Sequence, residues 1–301
     1  MKVACIVIAH RDPEHVARLL GAVEHPQIAC YLHVDARVPL TPFQRAFDGA
    51  RASDVTLLPR HTCIRGDIGL VDAAVEGLRQ GVVDGCGYFL LVTGQDFPLR
   101  SPSDLVAFAE ASESRSYIHH WPIDDSVHRF NGRDRTDFYA YTVRGRREVC
   151  IPRGEDTSFL GPKGRLLNEM LRVRSALKPS RRFPSYANAF AGSMWWNLPR
   201  VAADYILDFI RDHPDYYRYH QHTIAPEELF IQSILAGTGF ASDHELVNDP
   251  LRFYDWDDTH GRVLTEADLP AILASDDLFA LKFDSSVDAK VLDRLAEQIA
   301  E

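Results

Sequence analysis

The sequence lacks the short signatures that mark several large enzyme classes. No GxGxxG follows the first apolar run, and no P-loop, GxSxG or HExxH motif occurs. These absences argue against a dinucleotide-binding fingerprint, a nucleotide P-loop, a serine nucleophile elbow and a zincin helix. The histidines at 119–120 and 213–222 repeat no metal-ligand spacing, so scattered surface histidines explain them more simply than a zinc site.

Cysteine pairs and long apolar runs are also missing. The five cysteines are odd in number and include no CxxC pair. We interpret them as core thiols in a reducing compartment. No segment reaches the roughly 18 apolar residues of a membrane span, and the N-terminus has no signal-peptide layout. The expected location is the cytoplasm, with peripheral contact at the inner membrane face left open.

An excess of positive charge is absent as well. The 301 residues carry 33 Lys and Arg against 43 Asp and Glu, for a net charge of −10. Binding to nucleic acid depends mostly on phosphate neutralisation, so this balance argues against a nucleic-acid partner. Local basic clusters are still compatible with a small phosphate ligand.

Strand and helix patterns alternate over residues 1–110. Apolar strand-like runs are at 2–9, 28–34, 55–58 and 88–92, and helix starts are predicted at Asp12-Pro13, near residue 70 and at Ser101-Pro102. This alternation predicts an α/β fold with a mostly parallel sheet covered on both faces. Further helices are predicted at about 163–177, at about 199–211, after Pro226 and at the C-terminus.

Polar residues stand where three of these strands end. His10 follows the first strand, Asp35 the second, and Gln95 and Asp96 the strand at 88–92. Each alone is equally well explained as a cap or turn residue. Because open parallel sheets bind ligands outside the carboxyl ends of their strands, three such ends together favour a site.

A metal site of the DxD type receives little support. The one DxD string, Asp255-Trp256-Asp257, lies far from the central strand at 88–92. That strand ends in Gly94-Gln95-Asp96, which offers one carboxylate, and a single carboxylate holds Mg²⁺ or Mn²⁺ poorly. No metal and no cofactor are therefore expected.

Several segments in order resemble one known family. They are IVIAHRDPEHVARLLGAV, YLHVDAR, FLLVTGQDFPLRS, GSMWWNL, APEELFIQSIL, LRFYDW and LFALKFD. Together, from about residue 3 to 295, they resemble the core-2/I-branching β-1,6-N-acetylglucosaminyltransferases, a family that includes peptide O-xylosyltransferases. The resemblance implies a GT-A-like fold in a single domain, 1–301. In that domain, 1–111 would bind the nucleotide sugar, 112–245 the acceptor, and 246–301 would close the donor site.

The resemblance also implies an inverting, metal-independent transfer from a UDP-sugar. Its general base would be Glu228 in Ala225-Pro226-Glu227-Glu228, with Glu227 as the fallback because the family pattern has Asp at that position. Glutamate at a helix start is also favoured by the helix dipole, which explains one of the two acids but not both.

Basic residues near the C-terminus would compensate the leaving diphosphate. Lys282 matches one of them, and Arg262, or failing that Arg252, the other. Lys282 could instead be an exposed lysine on an edge strand, but its apolar neighbours imply a buried segment, where a lysine requires an anionic partner.

The remaining donor and acceptor assignments are looser. The end of the first strand, with His10, would lie under the nucleotide, and Asp35 near the uridine. Gln95 and Asp96 would hydrogen-bond to donor or acceptor. Trp195 and Trp196 match an acceptor-side aromatic, although one of them could be core. Ile64-Arg65-Gly66-Asp67 departs from the Trp-Gly step of many members.

Three functions are therefore compared. The first is transfer of GlcNAc or xylose from a UDP-sugar to a glycan or glycoconjugate. The second is a non-catalytic nucleotide-sugar or glycan-binding protein of the same fold, which would not need Glu228. The third is a metal-dependent hydrolase, which chelators would inhibit.

Overall fold

A computed structural model describes residues 1–49, 55–123, 129–255 and 261–300. Its strands are β1 Val3–Ala9, β2 Ile28–Val34, β3 Val55–Leu57, β4 Tyr88–Thr93, β5 Phe97–Pro98, β6 Arg115–Ile118, β7 Trp121–Pro122, β8 Tyr139–Val143, β9 Arg146–Cys150, β10 Phe190–Ala191, β11 Trp196–Pro199, β12 Glu245–Val247, β13 Arg252–Phe253 and β14 Phe279–Ala280. Its α-helices are α1 Pro13–Ala22, α2 Thr41–Gly49, α3 Gly69–Val83, α4 Pro102–Ala111, α5 Arg133–Thr136, α6 Pro162–Ser175, α7 Arg200–Asp212, α8 Pro214–His220, α9 Phe230–Ala236, α10 Phe240–Asp243, α11 Leu269–Leu273 and α12 Lys290–Ala300.

The centre of the fold is a seven-stranded sheet in the order β12-β6-β11-β4-β1-β2-β3. The pairs β4–β1, β1–β2, β2–β3 and β12–β6 are parallel, whereas β11 runs antiparallel to both of its neighbours. The predicted α/β class with a mostly parallel sheet is confirmed. Strands from 112–245 extend the same sheet that residues 1–93 begin.

Two apolar layers cover the faces of the sheet. Alternate residues of β1 enter different layers, since Ile6 packs with helices α3 and α7, and Val7 packs with α1 and α4. Strands buried on both faces read as continuous apolar runs, which explains the unbroken hydrophobic sequence of β1 and β4. The five cysteines are free and buried, as predicted.

Local sequence signals set the helix starts. Asp12 caps α1 by accepting a hydrogen bond from the His15 amide, and Ser101 caps α4 in the same way. Pro226–Glu228 form a separate 3₁₀ turn, and helix α9 begins only at Phe230. The two glutamates therefore lie before the predicted helix instead of within its first turn. Within the described ranges, no helix combines the length and the apolar character needed to cross a bilayer.

Candidate active site

A cleft with a cavity volume of about 790 Å³ opens at the carboxyl ends of β1, β2 and β4. Seven of the eleven site residues predicted from the sequence line it. They are His10, Asp35, Gln95, Trp195, Glu227, Glu228 and Lys282. The prediction that the polar ends of these strands share one site is consistent with this arrangement, because parallel strands present their carboxyl ends at the same sheet edge.

Asp35 is held by a basic residue that sequence reasoning missed. The Arg37 guanidinium donates to both Asp35 carboxylate oxygens, at 2.6 to 3.1 Å, and the Arg37 amide donates to Oδ1 at 2.9 Å. Although burial opposes ionisation, these hydrogen bonds lower the pKa of Asp35. The Asp35 side chain is 1% exposed and that of Arg37 is 45% exposed, so the guanidinium is what this pair presents to the cleft.

Lys282 lies on a segment that is fixed to the end of β4. The Phe283 amide donates to the Gln95 carbonyl at 2.9 Å, and Gln95 Nε2 donates back to the Phe283 carbonyl at 3.3 Å. Leu281 and Phe283 are buried, as the apolar neighbours of Lys282 predicted. Lys282 is a half-buried residue that lines the cleft, and its ammonium makes no ion pair with any residue that the structure describes.

Three cations and one carboxylate act on His10 at this part of the cleft. Partial burial lowers the pKa of His10, and so do the charges of Arg11, Arg37 and Lys282, while Asp35 opposes them. Arg11 pairs with Asp284 and Arg37 with Asp35, whereas Lys282 has no ion pair among the described residues. Lys282 is therefore the cation of this group that is most available to an anionic ligand.

The two glutamates occupy different environments in the same cleft. Glu228 accepts a hydrogen bond from Arg135 Nη1 at 2.7 Å, and its side chain is 40% exposed. Glu227 Oε1 accepts from the Gly66 amide at 3.2 Å, and its Oε2 is buried without a partner among the described residues. Burial, together with the neighbouring Glu228 charge, raises the pKa of Glu227 to about 8.

The segment Ile64-Arg65-Gly66-Asp67 docks on the turn that carries the glutamates. In addition to the Gly66–Glu227 contact, the Ala225 amide donates to the Gly66 carbonyl at 3.0 Å. Arg65 lines the cleft beside them. The segment that replaces the Trp-Gly step of many family members is thus a loop that positions the 225–228 turn.

Asp96 does not line the cleft. It is fully buried, where Oδ2 accepts from the Thr93 amide at 2.8 Å and Oδ1 accepts from the Thr93 hydroxyl at 3.1 Å. Burial raises the pKa of Asp96 to about 6, against the opposing charge of Arg252. This placement disfavours a direct hydrogen bond from Asp96 to the sugar donor or to the acceptor substrate. Asp96 instead stabilises the turn that follows β4.

Arg252 also lies inside the fold, which disfavours it as a diphosphate ligand. It is 4% exposed, donates to the Leu91 carbonyl at 2.7 Å and lies over the Phe279 ring at 4.6 Å. Its charge opposes that of the buried Asp96. We therefore interpret Arg252 as an internal counter-charge.

Arg262 lies at the edge of the cleft, beside the lining residue Gly261. Its guanidinium is 43% exposed and pairs with Asp255 at 2.8 Å and with Asp268 at 2.7 Å. It would have to exchange these partners to reach an anion in the cleft.

The two adjacent tryptophans separate between cleft and core. Trp195 lines the cleft and stacks on Tyr254 with ring centroids 6.2 Å apart. Trp196 is 1% exposed and packs in the hydrophobic core behind the sheet. β11 begins at Trp196, whereas Trp195 precedes the strand. An acceptor contact is therefore open to Trp195 alone of the two.

The proposed absence of a metal is not tested by this geometry. No three His, Cys, Asp or Glu side chains within the described ranges are placed to hold an ion. Trp256 and Asp257 of the DxD string lie outside the described residues.

Comparison with known proteins agrees with the resemblance. A sequence model of the core-2/I-branching enzymes matches residues 3–278. Human xylosyltransferase 1 is 23% identical over 265 residues, which are 85% of this chain and 24% of that protein. Human xylosyltransferase 2 is 23% identical over 268 residues, 85% of this chain and 27% of that protein. The chain thus spans about a quarter of the length of these curated relatives.

Among solved structures, TarS 1–349 of S. aureus in complex with UDP is similar at 11% identity, with a TM-score of 0.39. The similarity covers 100% of this chain and 71% of that one. A TM-score this low says nothing about function.

Proposed function

Because this chain belongs to the core-2/I-branching enzyme family, we propose that it is a glycosyltransferase that moves a sugar from a UDP-sugar to a hydroxyl of a glycan or glycoconjugate. The observation that carries this proposal is one cleft that holds both Glu227 and Glu228 together with Lys282, which has no ion-pair partner among the described residues. Such a cleft combines a proton acceptor with a cation for a leaving diphosphate.

The reaction is an inverting displacement with Glu228 as the general base. Glu228 removes the proton from the acceptor hydroxyl, and the oxygen attacks the anomeric carbon on the face opposite the UDP. The bond between that carbon and the β-phosphate oxygen breaks, and the electron pair leaves with UDP. Glu227, with a pKa near 8, is mostly protonated at neutral pH and is then a poorer base than Glu228.

Lys282 and Arg37 would meet the donor's negative charge. The ammonium of Lys282 offers three donors to a phosphate, and the Arg37–Asp35 pair lies at the end of β2. The Lys282 ammonium, which has no ion pair among the described residues, supports a metal-independent mechanism, as does the engagement of Asp96 with Thr93 inside the fold. Trp195 lines the cleft although it is only 7% exposed, and it is the aromatic residue proposed to contact a sugar ring of the acceptor.

Xylose and GlcNAc are the proposed donor sugars. The names of the curated relatives favour UDP-xylose as the first donor to test. The experiment measures UDP release from a panel of UDP-sugars, with and without EDTA. We expect release from one sugar, unchanged by EDTA, and a loss of about 10²-fold or more in Glu228→Gln. Glu297→Gln, on an exposed residue of α12, is the control.

Three outcomes would change the proposal. Release that EDTA abolishes would keep the transferase but reject the metal-free mechanism. UDP-sugar binding without turnover, equal in wild type and Glu228→Gln, would favour a non-catalytic binding protein. Absence of any nucleotide binding would reject the glycosyltransferase.

A further inference from the structure

Helix α6 carries an apolar stripe on its outer face. Leu166, Met170, Val173 and Leu177 are 67%, 63%, 77% and 99% exposed. Their spacing of four, three and four residues places them on one side of the helix and its C-terminal extension. A contiguous exposed apolar stripe of this kind indicates a surface that contacts a partner.

The opposite face of α6 is fixed to the domain. Asn168 is buried, and its side chain makes two hydrogen bonds to the backbone of Ile151, at 2.8 and 3.0 Å. Leu171 packs with Tyr141 and Cys150 of the β8–β9 hairpin. The stripe is therefore a preformed part of the surface, since the helix cannot rotate it inward without breaking these contacts.

The stripe lies in the most basic part of the chain. Residues 139–182 contain eleven Lys and Arg but four Asp and Glu, although the whole chain has a net charge of −10. Several exposed cations of this region form no ion pair with any described residue. They are Arg144, Arg146, Arg153, Lys163, Arg165, Arg174 and Arg182. On a helical projection, Lys163 and Arg174 flank one side of the stripe.

From this pattern we propose that α6 and its basic surroundings form a surface that binds an anionic lipid bilayer. An apolar stripe with cations along one side matches a bilayer interface, where acyl chains meet anionic headgroups. Glu169 lies on the other side of the stripe and pairs with Arg172. A second copy of the chain would bring two basic surfaces together, and like charges would oppose that contact. A nucleic acid would attract the cations but give the apolar stripe nothing to contact.

The surface is connected to the cleft through the hairpin on which α6 packs. Gly145, in the turn between β8 and β9, lines the cleft. A bilayer bound at α6 would therefore lie beside the part of the molecule that carries the β8–β9 hairpin.

The test is co-sedimentation of the full chain with phosphatidylcholine vesicles that contain or lack phosphatidylglycerol. We expect binding only to the anionic vesicles, and weaker binding as salt is raised. Leu166→Gln/Met170→Gln/Val173→Gln should reduce the partition coefficient by about tenfold or more, since inserted apolar groups provide much of the affinity. Lys163→Gln/Arg174→Gln should reduce it roughly fivefold per removed charge.

Matched variants separate this surface from a general effect. Val83→Gln/Val287→Gln removes two other exposed apolar side chains, and Arg45→Gln/Arg218→Gln removes two other exposed cations. Both controls should bind like wild type. Thermal unfolding midpoints should stay close to that of wild type for all variants, because every substituted residue is exposed and Arg174 contributes only a contact with the Tyr141 ring at 4.5 Å.

Three results would overturn the proposal. The first is no sedimentation with anionic vesicles. The second is that the α6 variants and the control variants sediment with anionic vesicles to the same extent. The third is a dimer in light scattering that the apolar variant dissolves, since a second copy would then cover the stripe.

Discussion

At the residue scale, Lys282 places an ammonium group in the cleft without a carboxylate partner among the described residues. An anion bound in the cleft would supply the opposite charge that Lys282 lacks among the described residues. Lys282→Ala should lower kcat/KM by about 10²–10³-fold and weaken UDP binding, because the leaving diphosphate loses its cation. Steady-state kinetics and calorimetric titration with UDP would measure both effects.

Lys282→Arg should retain part of the activity, since it keeps the charge but changes its position. Lys290→Ala, at the start of α12, removes an equal charge from an exposed site and should behave as wild type. Unchanged UDP affinity in Lys282→Ala would refute the assignment of Lys282 to the diphosphate.

Single residues also mark how far the sequence could predict the cleft. Asp35 and Gln95 were predicted because each follows a strand, and the structure puts both at the cleft. Asp96 follows the same strand as Gln95, but its side chain turns inward to Thr93. Two neighbouring residues can match the same sequence pattern while their side chains point to different places in the fold. Arg135 reaches Glu228 from 93 residues away along the chain, and no local pattern indicates such a contact.

At the scale of elements, the loop at 64–67 and the turn at 225–228 form one unit. Gly66 has a φ of +76°, and a Cβ there would lie 3.3 Å from Ile224 Cδ1 and 3.5 Å from the Ala225 nitrogen. Gly66→Ala should therefore cost about 1–2 kcal/mol of stability and also displace the turn that holds Glu227. We expect kcat to fall by about tenfold or more, as small misplacements of catalytic groups have such effects.

Gly85→Ala is the matched control for this prediction. Gly85 has the same φ of +76°, and a Cβ there would meet nothing within 4 Å. It should lose a similar amount of stability in urea unfolding while kcat stays unchanged. Equal kcat in both variants would show that the loop does not position the glutamates.

The elements themselves were predicted unevenly, for physical reasons. β1, β2 and β4 were predicted within a residue or two because they are continuous apolar runs. The short strands β6 and β12 carry no comparable pattern, although they extend the same sheet. β11 was not predicted to enter that sheet antiparallel, since its pairing with β4 joins residues more than 100 positions apart.

At the scale of the whole molecule, the charge distribution explains why composition alone said little about binding. The net charge of −10 predicts no general attraction to nucleic acid, and this stays a prediction. The net charge of the whole chain does not reveal the basic region at 139–182. That region is found only when the charges of separate segments are counted. The proposed lipid surface depends on that region and not on the average.

Glu227 also links the site to the stability of the whole fold. Its pKa is raised to about 8 in the folded protein, against about 4.3 for a glutamate in an unfolded chain. Its contribution to stability is therefore complete below about pH 4.3 and is lost as the pH rises through about 8. Glu227→Gln removes this loss of stability with rising pH, because glutamine does not ionise.

Urea unfolding of wild type and Glu227→Gln over a pH series would measure the effect. We expect the free energy of unfolding of Glu227→Gln, relative to wild type, to rise between about pH 4.3 and 8, by at most about 1.4 kcal/mol per pH unit. Above about pH 8 the difference should level off. Histidines with lowered pKa, such as His33 and His220, act in the opposite direction, but they are present in both proteins and cancel in the difference.

Glu297→Gln, which changes an exposed glutamate of α12, is the control. A flat difference for Glu227→Gln would mean that Glu227 is already ionised at neutral pH. It would then be as available as Glu228 to accept the acceptor's proton, and the choice of Glu228 as general base would rest on the activity of the two Gln variants alone.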